Sequence, residues 1–424
     1  MPRSDKVLET LQRHVLVDGL DLVVDLERSH GSTLVDARSG IEYLDLVTFF
    51  GSLPLGMNHP AMVQDTNFMT DLARAALHKV ANTGFYTVEY AHFIETFTRV
   101  LGDPDLPRMF FIDGGALAVE NALKVAFDWK AQRVGAGDGQ ELKVMHVTGA
   151  FHGCSGYTMS LTNIGDSKVT DLYPQWEWPR ISLPDPDSAA EVLRAARDIF
   201  ERQGSEIACF IAEPILGSGG DVHLSGEFLT GMQRLCQEHD ALFVLDEVQT
   251  GCGSSGTPWV YQQLGLEPDI VAFGKRTQVC GIMAGRRVGL VPDNALVVSA
   301  RLGSTWGGNL ADMVRTTRVL EIMENEFLIQ GAGEKGKHLL TQLQALSERF
   351  PELLTNARGR GLICAFDLPS GEVREKFLER LYTEEHTLLR ASGAQSIRLR
   401  PSLAVTKSEL DRGVQAISRV LKSM

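Results

Sequence analysis

The chain of 424 residues has no basic surplus to offer a polyanion, because 41 lysines and arginines face 54 aspartates and glutamates, for a formal net charge of −13. Broad attraction to nucleic acid or an anionic membrane is thereby disfavoured, and no Lys/Arg cluster stands against the trend. Long apolar runs are missing too, so no window approaches a membrane span. The opening residues, MPRSDKVLETLQRH, mix charge with apolar groups and lack the apolar core of a signal peptide. Together these absences predict a cytoplasmic protein. Cys154, Cys209, Cys236, Cys252, Cys280 and Cys364 form no C-x-x-C pair and have no short-range histidine partner, so no metal site is expected and they read as reduced thiols. What is present is ordinary for a soluble globular chain: 44% hydrophobic and 22% charged residues. At about 100–200 residues per domain, the length suits one large and one small domain.

The most informative stretch runs from Ala241 to Lys275. The apolar run ALFVL has the length and β-rich composition of a buried strand, and it ends in two carboxylates, Asp246 and Glu247. A second run, DIVAFG, leads into Lys275. Open α/β sheets bind ligands at the carboxyl ends of their strands, and an acid beside an amine there suits pyridoxal phosphate. In that chemistry the lysine holds the cofactor aldehyde and later moves a proton at carbon, while the carboxylate keeps the pyridine nitrogen protonated. Taken alone, the same residues equally describe a surface lysine and a helix-capping acid.

Up to about Pro60, IEYLDL reads as an edge strand and GSLPLGMNHP as a loop. From Ala61 to Leu101 the apolar period is helical. In RMFFIDGGALAVENALK a short strand passes through Gly114 and Gly115 into a helix, where amides and the helix dipole suit an anion or simply make a tight turn. LKVMHVTGAFHG brings Phe151 and His152 to a strand end; the ring stacks on a flat cofactor or plugs the sheet. The segment to about Pro186, with DLYPQWEWPRISLPDP, reads as a long loop. Helix SAAEVLRAARDIFERQ, strand EIACFIAEPI ending near Glu213, and helix GEFLTGMQRLCQEHD continue the alternation. The pattern predicts a largely parallel sheet covered on both faces. After Lys275, TQVCGIMAGRRVGLV reads as a turn and an edge strand, and the remainder as a smaller α+β unit. In SIRLR, Arg398 and Arg400 share one strand face, and either fits a carboxylate at a cleft.

In this order, DGGALAVENALK, GAFHG, AEPI, LDEVQTGCG, DIVAFGK and STWGGN resemble the class III, fold-type I aminotransferases, and within them the lysine 6-aminotransferase branch, from IEYLDL to SIRLRPSL. The resemblance implies an α/β fold with a mostly parallel, seven-stranded-type sheet: an N-terminal segment 1–60 packing with the small domain, a large pyridoxal phosphate domain 61–311 and a small domain 312–424. It implies pyridoxal 5′-phosphate on Lys275 and Asp246, Gln249 on its phenolic oxygen, and Val248 and Phe151 on its faces with His152 alongside. Gly115 and Ala116 would supply amides to the phosphate. Thr305 would reach the phosphate of a neighbouring subunit, which implies a homodimer with shared sites. Arg398 is similar to the arginine that binds a substrate carboxylate.

The departures fall on substrate positions. That branch carries FHGR where this chain has Cys154, EPIQGEGG where it has EPILGSGG with Leu216 and Ser218, and asparagine where Gly303 stands. The missing arginine would hold the lysine α-carboxylate, and the missing glutamate would neutralise the arginine corresponding to Arg398. The expectation is that Arg398, left free, binds the α-carboxylate of an amino acid and presents its α-amine to Lys275, with an oxo acid as acceptor. A different outcome of the same site is elimination, replacement or carbon–carbon bond formation on a substrate such as S-adenosylmethionine; a third is a cofactor-binding module without turnover.

Overall fold

The computed structural model describes residues 3–135, 141–164, 172–185 and 187–424. Its centre is a seven-stranded sheet in the spatial order Arg108–Ile112, Cys280–Ala284, Ile270–Phe273, Leu242–Asp246, Ile207–Ala212, Lys143–Val147 and Arg180–Ile181. Cys280–Ala284 runs antiparallel to both neighbours; the remaining pairs are parallel. Leu242, Phe243, Val244 and Leu245 are each 0% exposed. Burial of such side chains contributes about 1.5–3 kcal/mol apiece, which is why an unbroken apolar run marks a strand covered on both faces.

One cover is the helix Gly115–Val134, packed on the face that carries Val144, Ile211, Val244 and Ala272. Opposite lies the helix Gly226–Glu238, which places Phe228 and Met232 in the core with Phe210 and Phe243. Lys130 is buried and ties the layers from within: its amine donates to the carbonyls of Gly204 and Asp240 at 2.8 Å and of His239 at 3.2 Å. Those carbonyls lie just past the ends of the helices Ala189–Gln203 and Gly226–Glu238, where backbone acceptors lack partners of their own.

A second, antiparallel sheet has the order Thr355–Arg360, Ile363–Asp367, Ser396–Leu399, Arg390–Ser392. The helix Leu328–Arg349 packs against it. In a third sheet Glu42–Asp45 pairs with Thr33–Val35 on one side and Thr387–Leu388 on the other.

Three readings of the sequence need correction. IEYLDL is a central strand, because a chain segment more than 300 residues away supplies its second neighbour. The strand in CGIMAG is internal as well: its buried Ile282 and Met283 sit between two partners. The aromatic stretch before Pro186 holds the edge strand Arg180–Ile181, too short for periodicity to reveal. Within that stretch, residues 165–171 and 186 lie outside the described residues.

Candidate active site

The two strands Leu242–Asp246 and Ile270–Phe273 lie side by side with Asp246 opposite Ala272, so their carboxyl ends open at the same level. The chain then turns through Gly274 into Lys275, which adopts a left-handed conformation (φ +51°). Such a conformation costs about 1–3 kcal/mol outside glycine, and here it accompanies the side chain that faces the cavity. Gly115, Ala116, Phe151, His152, Gly153, Cys154, Glu213, Ser218, Asp246, Val248, Gln249 and Lys275 together line about 360 Å³.

Asp246 is 5% exposed and held from two sides. The His152 ring lies 2.8 Å from Oδ2 through Nδ1, and the Val248 amide donates to Oδ1 at 3.0 Å. A carboxylate has room for about four hydrogen bonds, so one more donor can still be accepted. His152 is itself fixed, since its amide and that of Gly153 both donate to Thr162 Oγ1, at 3.0 and 3.2 Å. Burial pulls the Lys275 amine below its ordinary value, and the Arg398 charge pulls in the same direction against Asp246 and Glu213. An amine held below its usual range is more readily found neutral, the form that accepts a proton.

Glu213, at the end of the strand Ile207–Ala212, organises the opposite wall. Its Oε1 accepts from the Phe151 amide at 3.0 Å and its Oε2 from the Gly217 amide at 3.1 Å. Burial pushes its pKa up, above the ordinary carboxylate range, so the carboxyl is a weaker acid than usual. In the sequence the only signal for this anchor was a carboxylate directly after an apolar strand. Glu247 turns away from the cavity to receive Val260 N, Tyr261 N and Thr250 Oγ1, at 2.9, 2.9 and 2.8 Å.

Arg398 is 8% exposed and is not free. Its Nη1 donates to Gly217 O at 2.7 Å and to Gln249 Oε1 at 3.0 Å, so two neutral oxygens hold an arginine that the sequence reading left without a partner. Burial lowers the guanidinium to about 10. Arg400 takes a different partner, the buried Asp221. Cys154 and Ser218 do reach the cavity, but Gly303 and Thr305 lie on an exposed loop outside its lining. That loop is fastened to the turn between the helices Thr66–Leu77 and Val88–Val100: Asn82 N donates to Trp306 O at 3.0 Å and Thr83 Oγ1 to Thr305 O at 3.1 Å.

These residues fit pyridoxal phosphate. The amine and the acid share one cavity, and no side chain caps the first turn of the twenty-residue helix at Gly115, which leaves its amides for an anion. A Cβ at Gly115 would lie 2.9 Å from Val248 Cγ1, so only glycine lets the helix start approach this closely.

Residues 17–421 match the family model described as aminotransferase class-III. The L-lysine-epsilon aminotransferase of Amycolatopsis lactamdurans is 54% identical, with 100% of this chain and 97% of that protein covered. Its counterpart from Streptomyces clavuligerus is 53% identical over 98% and 94%. The solved structure titled lysine aminotransferase from M. tuberculosis in the internal aldimine form superposes with a TM-score of 0.97 at 50% identity, covering 100% of both chains.

Proposed function

The chain belongs to the class III aminotransferases and uses pyridoxal 5′-phosphate, and from that membership we propose that it transfers the α-amine of an amino acid whose carboxylate docks on Arg398. Lys275 would hold the cofactor aldehyde, Asp246 its ring nitrogen, and the amides at Gly115 and Ala116 its phosphate. Val248 and Phe151 would cover its two faces, with His152 alongside, and Gln249 would donate to its phenolic oxygen. When bound, the cofactor draws electrons away from the substrate carbon. The Lys275 amine would take the proton from that carbon and deliver it to C4′, the cofactor carbon that carried the aldehyde, and Asp246 would supply the negative charge that keeps the ring nitrogen protonated.

One observation carries the choice of the α-amine. Arg398 is a buried cation whose hydrogen-bond partners among the described residues are two neutral oxygens. A guanidinium in that state binds a carboxylate without first losing a charged partner. Cys154 offers the cavity no second cation, and Ser218 offers it no anion. An amino acid with one carboxylate therefore seats with that carboxylate on Arg398 and its adjacent amine toward Lys275, and an oxo acid binds the same way in the return half-reaction.

We place the enzyme in the cytoplasm as a homodimer, with Thr305 given to the partner's phosphate site. Among the described residues no helix is long and apolar enough to cross a membrane. The test is product analysis with lysine, ornithine, 4-aminobutyrate, glutamate and S-adenosylmethionine as donors and 2-oxoglutarate, pyruvate and oxaloacetate as acceptors. The expected products are 2-oxo acids from α-amino donors. Conversion of lysine to its terminal aldehyde at a rate above every α-amine transfer would overturn the reading.

A further inference from the structure

We propose that Arg398 does more than receive carboxylates. Through the side-chain amide of Gln249 it fixes the hydrogen-bond donor that faces the cofactor ring, a positioning role that rests on the site reading above. An arginine side chain has donors only, so the Gln249 atom that meets Nη1 at 3.0 Å is the oxygen. The amide is planar, and its Nε2 is therefore turned to the other side. Gln249 lines the cavity, and its Nε2 has no protein acceptor among the described residues. The arrangement leaves this N–H for an acceptor in the cavity, which the cofactor's phenolic oxygen would supply.

The far end of the contact is rigid. Gly217 O, which shares Nη1, also accepts from Ser392 Oγ at 2.7 Å, while the Gly217 amide is held by Glu213 at 3.1 Å. A side chain at residue 217 would collide with Gln249 Oε1, so glycine there leaves the amide its place. Arg398 and Gln249 are each 8% exposed, so a charge-assisted hydrogen bond between them is little weakened by water. Nε and Nη2 of Arg398 have no protein acceptor among the described residues, which leaves that edge for a two-pronged carboxylate contact. Substrate can then arrive without displacing Gln249. The two roles use different nitrogens and are separable.

The measurement is the visible absorption maximum of the resting holoenzyme, without substrate, read on the pH plateau where the Lys275 nitrogen is wholly in one protonation state, so that loss of the Arg398 charge acting on Lys275 does not itself move the maximum and loss of the Gln249 donor does. Gln249→Leu shifts the maximum by removing the donor. Arg398→Met is expected to shift it in the same sense, and the double variant no further than Gln249→Leu alone. Gly217→Ala, which displaces the amide from the other side, shifts it too. Arg398→Lys keeps one donor for the Gln249 oxygen but loses the fork, so it restores the wild-type spectrum while KM for carboxylate-bearing donors stays about 10- to 100-fold raised. A wild-type spectrum in Arg398→Met, or no shift in Gln249→Leu, overturns the proposal and leaves the carboxylate reading standing. Shifted spectra with unchanged KM values would instead sink the carboxylate reading alone. Should Arg398→Met fail to retain cofactor, Gly217→Ala decides, and an unshifted spectrum there counts against the proposal.

Discussion

At the scale of single residues, the site separates what the cofactor needs from what the substrate needs. Asp246 and Lys275 were legible because a charge directly after a buried strand is costly unless used. The partner of Arg398 was not legible: Gly217 contributes a backbone carbonyl from 181 positions away, and no side-chain pattern encodes it. Because Ser218 O is held by Gly393 N at 3.0 Å, a longer acid at 218 would grow from a fixed backbone beside the carbonyl that touches Arg398. The paired change Cys154→Arg with Ser218→Glu is therefore expected to raise kcat/KM for lysine by about ten-fold or more, measured as terminal aldehyde formed; no response would count against the substrate assignment. A second residue prediction concerns Glu247, which burial raises to about 7 from 4.5. The folded chain keeps a proton there that the unfolded chain releases first, so this contribution to stability is complete below pH 4.5 and disappears as pH climbs through 7. Glu247→Gln should flatten the fall in urea midpoint across that window. It should also cost about 1–3 kcal/mol by setting an amide N–H against the donors at 250, 260 or 261.

At the scale of elements, strands and helices with long, clean periods were readable, whereas pairing order was not. The helix Gly115–Val134 and the strand Leu242–Asp246 stand where their patterns put them. Whether Glu42–Asp45 or Cys280–Ala284 has one neighbour or two depends on segments brought in from elsewhere, and an alternating or short apolar run looks the same in both cases. The loop after the strand Ile207–Ala212 shows the same limit. Its glycines announce a turn, yet its position is set by Arg358, which donates to Asp221 O at 2.9 Å, to Asp367 Oδ1 at 2.9 Å and to Ser396 Oγ at 2.9 Å, as well as to Gly220 O. Arg358→Ala would leave the buried Asp367 without its cation and release the loop that carries Gly217 and Ser218. The expected cost is about 3 kcal/mol in urea unfolding, together with a higher KM for carboxylate donors. Loss of stability with substrate affinity intact would mean that the loop keeps its place by other contacts.

At the scale of the whole molecule, one chain lines its cavity with the amine and the acid and sets Arg398 behind the lining residue Gln249, but leaves Thr305 outside that lining. Thr305 is exposed, and nearby on the same surface Phe85, Tyr86 and Trp306 are 69%, 81% and 41% exposed. Apolar groups in such a patch gain about 25 cal/mol per Å² when a partner covers them. A second copy would both cover that surface and bring a threonine hydroxyl to a phosphate site otherwise made of amides. Subunit mixing tests this directly. A Lys275→Ala chain carries an intact Thr305, and a Thr305→Ala chain carries an intact Lys275. If Thr305 serves its own chain, a hybrid of the two contains one site without its lysine and one without its threonine, so its activity is no more than half that of the Thr305→Ala enzyme. If Thr305 serves the partner, one of the two hybrid sites receives both residues and the other receives neither. Co-expression with two affinity tags, followed by isolation of the hybrid, should then yield an enzyme with about half the wild-type turnover, well above either parent, and with wild-type affinity for the cofactor.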